Sequence, residues 1–266
     1  MNDNEFAIHQ VPGRIALITI VAYPDKILIL DTGSKKDYQL IEAFFVDHLK
    51  RTMEAVKLIA VSHAHPDHSA GVFAFRKKFS LKIAGHPDID KWYQGFGGRM
   101  QQMADVFFSH IAATQAGVPT RRFWFRGRTR PDFLLADNAP LPFFEDWRAV
   151  HTPGHTANHL VFYHARSKTL YVGDLLVKIH GKYHLPYGIP LPDRMRSSLE
   201  KIAALEIRTL VLPHGGIDTI TDIRQVIEPL FAELDQGPGF PVELLMPLTR
   251  LSPEIRKTKG ISQGCP

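Results

Sequence analysis

The chain has 266 residues and a formal net charge of +5; 44% of its residues are hydrophobic and 22% are charged. This composition is ordinary for a globular protein with its own core and excludes a disordered or fibrous chain. No apolar run approaches the roughly 18 residues that a membrane span needs, so we expect no membrane partner. The mildly basic charge does not by itself indicate nucleic acid, and we expect none.

The cysteine content and the N-terminus favour one compartment. Cys265 is the single cysteine, so the chain has no intramolecular disulfide. The first residues, Met1 to Glu5, are polar and acidic, unlike the basic and then apolar start of a signal peptide. We therefore expect a cytoplasmic protein.

Strand and helix signals are mixed along the first third of the chain. Short runs rich in Ile, Leu and Val predict strands, and apolar residues at helical spacing predict helices. The predicted strands are 14–23, 26–31, 56–61 and 81–84, and the predicted helices are 37–51 and 69–79. This mixture indicates an α/β or α+β fold.

The middle of the chain predicts a helical insert, at about 87–130. A glycine-rich stretch, 95–98, is interpreted as a flexible joint before a helix over 99–116. One face of this helix carries Met100, Met103, Phe107 and Ile111. The spacing favours a face packed in the core. Two alternatives stay open, a mobile cover over a cleft and the interface of a homodimer.

Strand and helix signals return after the insert. They predict strands at 148–151, 159–164, 169–172 and 209–212, and helices at 194–205 and 220–234. We divide the chain into one domain over 1–236 and a peripheral C-terminal tail over 237–266, which is rich in Pro and Gly.

The most informative motif directly follows the predicted strand 56–61. It places His63, His65, Asp67 and His68 in the pattern H-x-H-x-D-H. In an extended segment, residues two apart point to the same side, so the first two histidines can converge on one ion. Asp67 and His68 come after the turn at Pro66 and can reach a second ion. Imidazole and carboxylate ligands without thiolate suit zinc, and also iron or manganese.

Further candidate ligands occur later, each at the end of a predicted strand or in a turn. A turn carries His151 and His155, Asp174 ends one apolar strand, and His214 ends another. Each of these positions alone is weak, because a strand-end Asp or His is often a cap or turn residue. Their order after the H-x-H-x-D-H motif strengthens the prediction of a metal site.

Together these segments resemble the five motifs of the metallo-β-lactamase superfamily, over about residues 28–216, with Asp31 matching the aspartate of the first motif. The resemblance implies a four-layer αβ/βα sandwich with the helical insert between the second and third motifs. It implies two divalent metal ions per chain, zinc before iron or manganese. It assigns His63, His65 and His155 to one ion, Asp67, His68 and His214 to the other, and Asp174 to both.

The resemblance also implies roles beyond metal binding. Asp31 would orient a ligand, and Asp67 would take part in catalysis by hydrogen-bonding the nucleophile. His155 is preferred to His151 because it occupies the Gly-His-Thr position of the family motif. The ligand set is similar to that of glyoxalase II and the lactonases, so we expect a hydrolase that cleaves a thioester or ester of a small molecule.

The substrate-binding residues are less clearly marked. Lys182, His184 and Tyr187 follow Asp174 in a loop and are candidates for binding a substrate carboxylate or stabilising an oxyanion. The segment 121–130 mixes arginines with aromatic residues and could hold an anionic tail, although a solvated basic loop is the preferred interpretation. The alternative functions are a lactonase, a persulfide dioxygenase with one iron, a phosphodiesterase or nuclease, and a non-catalytic regulator.

Overall fold

Every strand that the sequence predicts overlaps a strand of the computed structural model, which has further strands that the sequence does not predict. The structure describes residues 6–115, 125, 127–237, 242–255 and 257. The first strand is one that the sequence pattern does not predict, because its residues are mostly half-exposed and include His9 and Gln10. The strands are β1 (Ala7–Pro12), β2 (Leu17–Ala22), β3 (Ile27–Leu30), β4 (Val56–Ala60), β5 (Ile83–Gly85), β6 (Phe133–Leu134), β7 (Ala139–Leu141), β8 (Phe144–His151), β9 (Leu160–His164), β10 (Thr169–Tyr171), β11 (Val177–Ile179), β12 (Lys182–His184), β13 (Thr209–Leu212) and β14 (Gly216–Thr219).

These strands form two six-stranded sheets and one small hairpin. The first sheet has the order β1-β2-β3-β4-β5-β6, and the second has the order β14-β13-β10-β9-β8-β7. In the first sheet, β3, β4, β5 and β6 run parallel to one another. In the second sheet, β10 and β13 are the parallel pair. Strands β11 and β12 make the separate hairpin.

Strand β3 shows how the layers are built. Its four residues are fully buried, and successive side chains of a strand point to opposite faces of the sheet. Ile27 and Ile29 belong to the cluster that packs under the helices of the first sheet. Leu28 and Leu30 belong to the cluster between the sheets, together with Trp147 and residues of the second sheet. The continuous apolar run therefore reflects a strand that is covered on both faces.

Helices cover the outer face of each sheet. Ile41, Phe45 and Phe75 pack on the first sheet, whereas Leu199 and Ile227 pack on the second. The α-helices are α1 (Tyr38–Phe44), α2 (Pro66–Ser69), α3 (Val72–Phe79), α4 (Gly95–Gln115), α5 (Pro192–Ala203), α6 (Ile223–Gln236) and α7 (Val242–Leu245). The predicted helix 37–51 is α1 followed by a π-helical turn, Phe45–Leu49. The mixed α/β class with its four layers is thus confirmed.

Helix α4 and the segment after α7 pack against each other at one side of the sandwich. Gln101 Oε1 accepts the backbone N–H groups of Leu251 at 2.8 Å and of Ser252 at 3.2 Å. The Ser252 hydroxyl donates to the carbonyl oxygen of Trp92 at 2.7 Å. We call α4 and residues 242–252 the cover. The division into domain 1–236 and tail 237–266 stays a prediction.

The glycines that the sequence analysis interprets as a flexible joint lie in the first turn of α4. The helix begins at Gly95 and includes Gly97 and Gly98. A Cβ atom at Gly98 would lie 2.2 Å from the carbonyl carbon of Tyr93, and one at Gly97 would lie 2.6 Å from the carbonyl oxygen of Leu251. These two glycines therefore allow close backbone packing within the cover.

The apolar face of α4 is not in the core. The exposed fractions are 39% for Met100, 65% for Met103, 52% for Phe107 and 37% for Ile111. The core interpretation of this face is therefore wrong, and a homodimer interface stays a prediction. Within the described part of the chain, none of the helices combines the length and the apolar character that crossing a membrane requires.

Candidate metal centre

The predicted metal ligands come from loops at the ends of strands. His63 follows β4, Asp174 follows β10 and His214 follows β13. Because β10 and β13 are parallel neighbours, their carboxyl ends lie at the same edge of the second sheet. The loops of the two sheets are tied there, since the N–H of Leu160 donates to the carbonyl oxygen of Ser62 at 2.9 Å.

The structure brings all seven predicted ligands into two adjoining groups. In each group, one possible ligand atom of every residue lies within 4.8 Å of those of the others. His63 and His68 are fully buried, and His155 and Asp174 are nearly so. The first group is His63, His65, His155 and Asp174, and the second is Asp67, His68 and His214.

The carboxylate of Asp174 faces both groups, one oxygen toward each. Its Oδ2 atom lies 3.3 Å from His155 Nε2 and 3.7 Å from His63 Nε2. Its Oδ1 atom lies 3.1 Å from His68 Nε2 and 3.5 Å from His214 Nε2. A carboxylate in this position can supply one oxygen to each of two neighbouring cations.

The outer nitrogens of the histidine rings have partners that leave the inner nitrogens free for a cation. His68 Nδ1 donates to Asp31 Oδ2 at 2.8 Å, and His155 Nδ1 donates to the carbonyl oxygen of Gly188 at 3.0 Å. The inner atoms His155 Nε2 and His65 Nδ1 face each other at 2.9 Å. Converging imidazole nitrogens beside carboxylates make a donor set that suits zinc, iron or manganese.

Unpaired buried atoms also fit a bound cation. His63 Nε2 and Asp174 Oδ1 are buried, and neither has an aligned hydrogen-bond partner among the described residues. Such orphaned atoms are costly unless an ion or water satisfies them. The residues present therefore fit the metal ions that the sequence predicts.

Asp31 lies behind the cluster rather than in it. Its carboxylate accepts hydrogen bonds from the N–H and hydroxyl groups of Ser62, each at 2.7 Å, and from the Tyr171 hydroxyl at 2.6 Å. It also holds His68, and His63 Nδ1 donates to the Ser62 hydroxyl at 2.9 Å. One buried carboxylate thus fixes the orientation of histidines in both groups.

His159, which the sequence analysis places only at the start of the predicted strand 159–164, is a supporting residue. Its ring is fully buried, and its Nε2 atom accepts the N–H of Asp174 at 2.9 Å. The Nδ1 atom donates to the Thr152 hydroxyl at 2.9 Å. His151, by contrast, is at the end of β8 and contacts the carbonyl oxygen of Ala157 at 3.0 Å, outside both groups.

Asp105 is the site residue that sequence reasoning missed. It lies on α4, and its Oδ2 atom is 3.3 Å from His65 Nε2, although the pair is not aligned as a hydrogen bond. Gln101 Nε2 and the Tyr93 hydroxyl donate to its carboxylate at 2.7 Å and 2.8 Å, and Trp92 Nε1 does so at 3.3 Å. Asp105 is the only acidic residue of α4, which is the signal that could have marked it.

The electrostatics keep the cluster in a form that suits cations. Burial lowers the pKa of His63 well below its usual value, and the neighbouring His68 lowers it further. Although burial opposes the shift, His68 and His214 hold the pKa of Asp174 well below its usual value. Against burial again, Asp174 raises the pKa of His68 well above its usual value. A cation held by His68 Nε2 would take the place of the proton that this shift favours.

A cavity of about 620 Å³ adjoins the cluster. Of the three predicted substrate residues, Tyr187 lines it and is 72% exposed. Lys182 and His184 are not among the described lining residues, and His184 Nδ1 instead lies 3.6 Å from Glu233 Oε2. A role for these two residues at the substrate therefore stays a prediction. Half of the segment 121–130, which the sequence analysis considers for an anionic tail, lies outside the described residues.

The sequence profile of the Metallo-beta-lactamase superfamily matches residues 11–214. The chain belongs to this superfamily. The match begins in β1 and ends at His214, so it contains every predicted ligand. The superfamily that the sequence motifs predict is therefore confirmed.

Individual relatives are distant. The chain is 26% identical over 182 residues to the "Probable metallo-hydrolase YybB" of Bacillus subtilis, covering 66% of this chain and 69% of the relative. It is 26% identical over 175 residues to the "Hydroxyacylglutathione hydrolase GloC" of Haemophilus influenzae, covering 62% of this chain and 71% of the relative. These superfamily relatives indicate a hydrolase.

Solved structures agree on the fold. The metallo-beta-lactamase family protein TTHA1429 of Thermus thermophilus matches with a TM-score of 0.67 at 21% identity, covering 96% of this chain and 94% of that one. The subclass B3 metallo-beta-lactamase MEM-A1, from a soil metagenome library, matches with a TM-score of 0.61 at 18% identity, covering 86% and 91%. At such identities the likeness shows the fold alone.

Proposed function

We propose that this chain is a hydrolase that holds two divalent metal ions, zinc first among them, and cleaves a thioester or ester bond of a small molecule. The observation that carries the proposal is the position of Asp174, whose two carboxylate oxygens face two separate groups of ligands. Among the described residues, unpartnered buried atoms lie toward both groups, His63 Nε2 in the first and Asp174 Oδ1 on the side of the second.

Each predicted ligand has a place in this arrangement. His63, His65 and His155 would hold one ion, and Asp67, His68 and His214 the other, with Asp174 shared. When bound, such ions supply a hydroxide at neutral pH and polarise the carbonyl group of the substrate. Water then adds to the acyl carbon, the bond from that carbon to sulfur or oxygen breaks, and a carboxylic acid and a thiol or alcohol leave.

The remaining residues of the site orient the histidine ligands, the attacking water and the substrate. Asp67 lines the cavity, and against the effect of burial His68 lowers the pKa of its carboxyl. It is therefore ionised and can accept a hydrogen bond from the attacking water. Asp31 and Asp105 orient His68 and His65 through their outer nitrogens, as carboxylates commonly do behind metal-binding histidines. Tyr187 at the cavity wall can contact the substrate.

The ester or thioester preference is supported by the relatives. Several are named hydroxyacylglutathione hydrolases, including that of Haemophilus influenzae, at 26% identity. Their name describes an acyl group carried by glutathione, which is a thioester. This chain has the same order of ligand motifs that the sequence analysis links to that side of the superfamily.

Metal content and hydrolysis, measured on the same purified chain, test the proposal. We expect about two zinc or manganese ions per chain by plasma mass spectrometry, and hydrolysis of thioesters or esters that a chelator abolishes and added metal restores. The panel should contain thioesters, linear esters, lactones and phosphodiesters, so that the alternative reactions are measured beside the proposed one.

Two results would overturn the proposed hydrolase function. One iron per chain together with oxygen consumption on persulfides would indicate the dioxygenase reaction instead. Full metal loading with hydrolysis of phosphodiesters alone would indicate the nuclease or phosphodiesterase alternative.

A further inference from the structure

The wall of the cavity beside the cluster is divided into a polar end and an apolar side. The polar end consists of ligand residues such as His155, Asp174 and His214, and the lining also includes the polar side chains of Gln101, Asp105, Ser109 and Thr249. The apolar side comes from α4, from the segment at α7 and from the loops around the β11–β12 hairpin. The side chains that form it include Phe108, Ile111, Ile179, Tyr187, Leu245 and Met246.

The described residues of this lining carry no fixed positive charge. Among the described residues, no lysine or arginine lines the cavity. Lys178 is on β11 beside two lining residues, but its Nζ atom is paired with Asp218, which also accepts from the Tyr183 hydroxyl. A charged group placed in this cavity away from the metal ligands would therefore be desolvated without a counter-ion, which is costly. An apolar group has no such desolvation cost there, and its transfer out of water is favourable.

The cover gives this apolar side its shape. Phe108 and Ile111 are one helical turn apart on α4, so they present one surface to the cavity. Met246 is buried beside them, and its segment is fastened to α4 by the hydrogen bonds of Gln101. The cavity volume of about 620 Å³ is in the range that holds small organic ligands.

We propose that the acyl group of the substrate is an apolar chain that lies against Phe108, Ile111 and Met246, with its carbonyl at the ligand cluster. This inference rests on the proposed hydrolase function and specifies its substrate class. Each methylene buried in such a site strengthens binding by about fourfold. The rate constant kcat/KM should therefore rise with acyl length until the cavity is full.

The experiment uses the full chain loaded with zinc and straight-chain thioesters from acetyl to decanoyl on one small neutral thiol. We expect kcat/KM to rise by about threefold to fourfold per methylene over several additions and then to level off. Phe108→Ala, which enlarges the cavity, should move the plateau to longer chains, and Phe108→Trp should move it to shorter ones. Phe96→Ala is the matched control, because Phe96 is on the same helix and is 83% exposed.

A second readout separates this inference from the proposed function. Calorimetry measures how tightly the straight-chain carboxylates, acetate to decanoate, bind the zinc-loaded chain. If no thioester is hydrolysed but affinity rises with chain length and responds to Phe108→Ala, the reaction is wrong and the apolar site stands. If thioesters are hydrolysed with no dependence on chain length, or if carboxylate affinity is flat, the apolar acyl site is overturned.

Discussion

The ligand loops and the cover differ in how their residues are held. The ligand loops follow buried strands of both sheets, and their histidines are held by carboxylate and carbonyl oxygens, as His68 is at 2.8 Å and His155 at 3.0 Å. The cover packs through glycines and one glutamine and leaves large apolar side chains exposed, such as Phe96 at 83%. The candidate ligands are thus held by hydrogen bonds, whereas the cover also contributes apolar side chains such as Phe108 and Ile111 to the wall of the cavity.

The largest effect that this comparison predicts is the loss of metal from the ligand loops. Asp174→Ala removes both oxygens that face the two ligand groups, so metal content and hydrolysis should fall together to the level of the metal-free protein. Asp235→Ala is the control, since Asp235 is an exposed acid on α6. Full metal content and full rate in Asp174→Ala would remove this residue from the site.

The second prediction concerns Asp105, the carboxylate of the cover that lies beside His65 of the ligand loops. Asp105→Asn keeps the size of the side chain but loses the charge beside His65 Nε2. Zinc affinity, measured by competition with a chelator, should fall by about 10-fold to 100-fold, while the dependence of kcat/KM on acyl length stays unchanged. Asp88→Asn serves as a control at an exposed pair with Lys91. Unchanged zinc affinity in Asp105→Asn would show that this carboxylate of the cover does not support metal binding by the ligand loops.

The third prediction distinguishes packing from flexibility at the start of the cover. If Gly98 served as a joint, alanine would stabilise the helix by about 0.5–1 kcal/mol. Because a Cβ there would lie 2.2 Å from a backbone carbon of Tyr93, we expect Gly98→Ala to lower the free energy of unfolding by about 1–3 kcal/mol instead. Chemical denaturation measures whether the free energy of unfolding rises or falls. A more stable Gly98→Ala variant would support the interpretation of Gly98 as a flexible joint.

The smallest expected effect is a pH dependence at His86, where the chain leaves β5 for the insert. Burial and the neighbouring His151 lower the pKa of His86 to about 4 from its ordinary 6.5. The unfolded chain therefore takes up this proton first as the pH falls, so stability declines from about pH 6.5 and levels off below about pH 4.

His86→Gln should lose less stability than the unaltered chain over that pH window, by about 1–2 kcal/mol after allowance for partial exposure. The metal ligands titrate in both proteins, so the difference between their urea-unfolding curves isolates His86. Parallel curves would show that this side chain is not the source of the pH dependence.

The sequence predicted the ligand loops better than the cover for a physical reason. Spacing within the H-x-H-x-D-H motif indicates that His63 and His65 share a direction, and the resemblance to the superfamily implies the ligands from the other segments. The structure brings all seven together. Asp105 is brought to His65 only by the way α4 packs, which no local pattern encodes. The exposed Met103 and Phe107 have the same helical spacing as a core face, so periodicity alone assigned them to the core.

The side-chain amide of Gln101 connects Asp105, which lies beside His65 of the ligand loops, to the C-terminal part of the cover. Its Nε2 group donates to Asp105 at 2.7 Å, and its Oε1 atom accepts the N–H of Leu251 at 2.8 Å. In a chimera with another member of the superfamily, α4 and residues 242–252 are therefore one module and must be exchanged together. Transplanting the helix alone would leave Gln101 without the backbone that it holds, and grafting the C-terminal segment alone would leave that backbone unanchored.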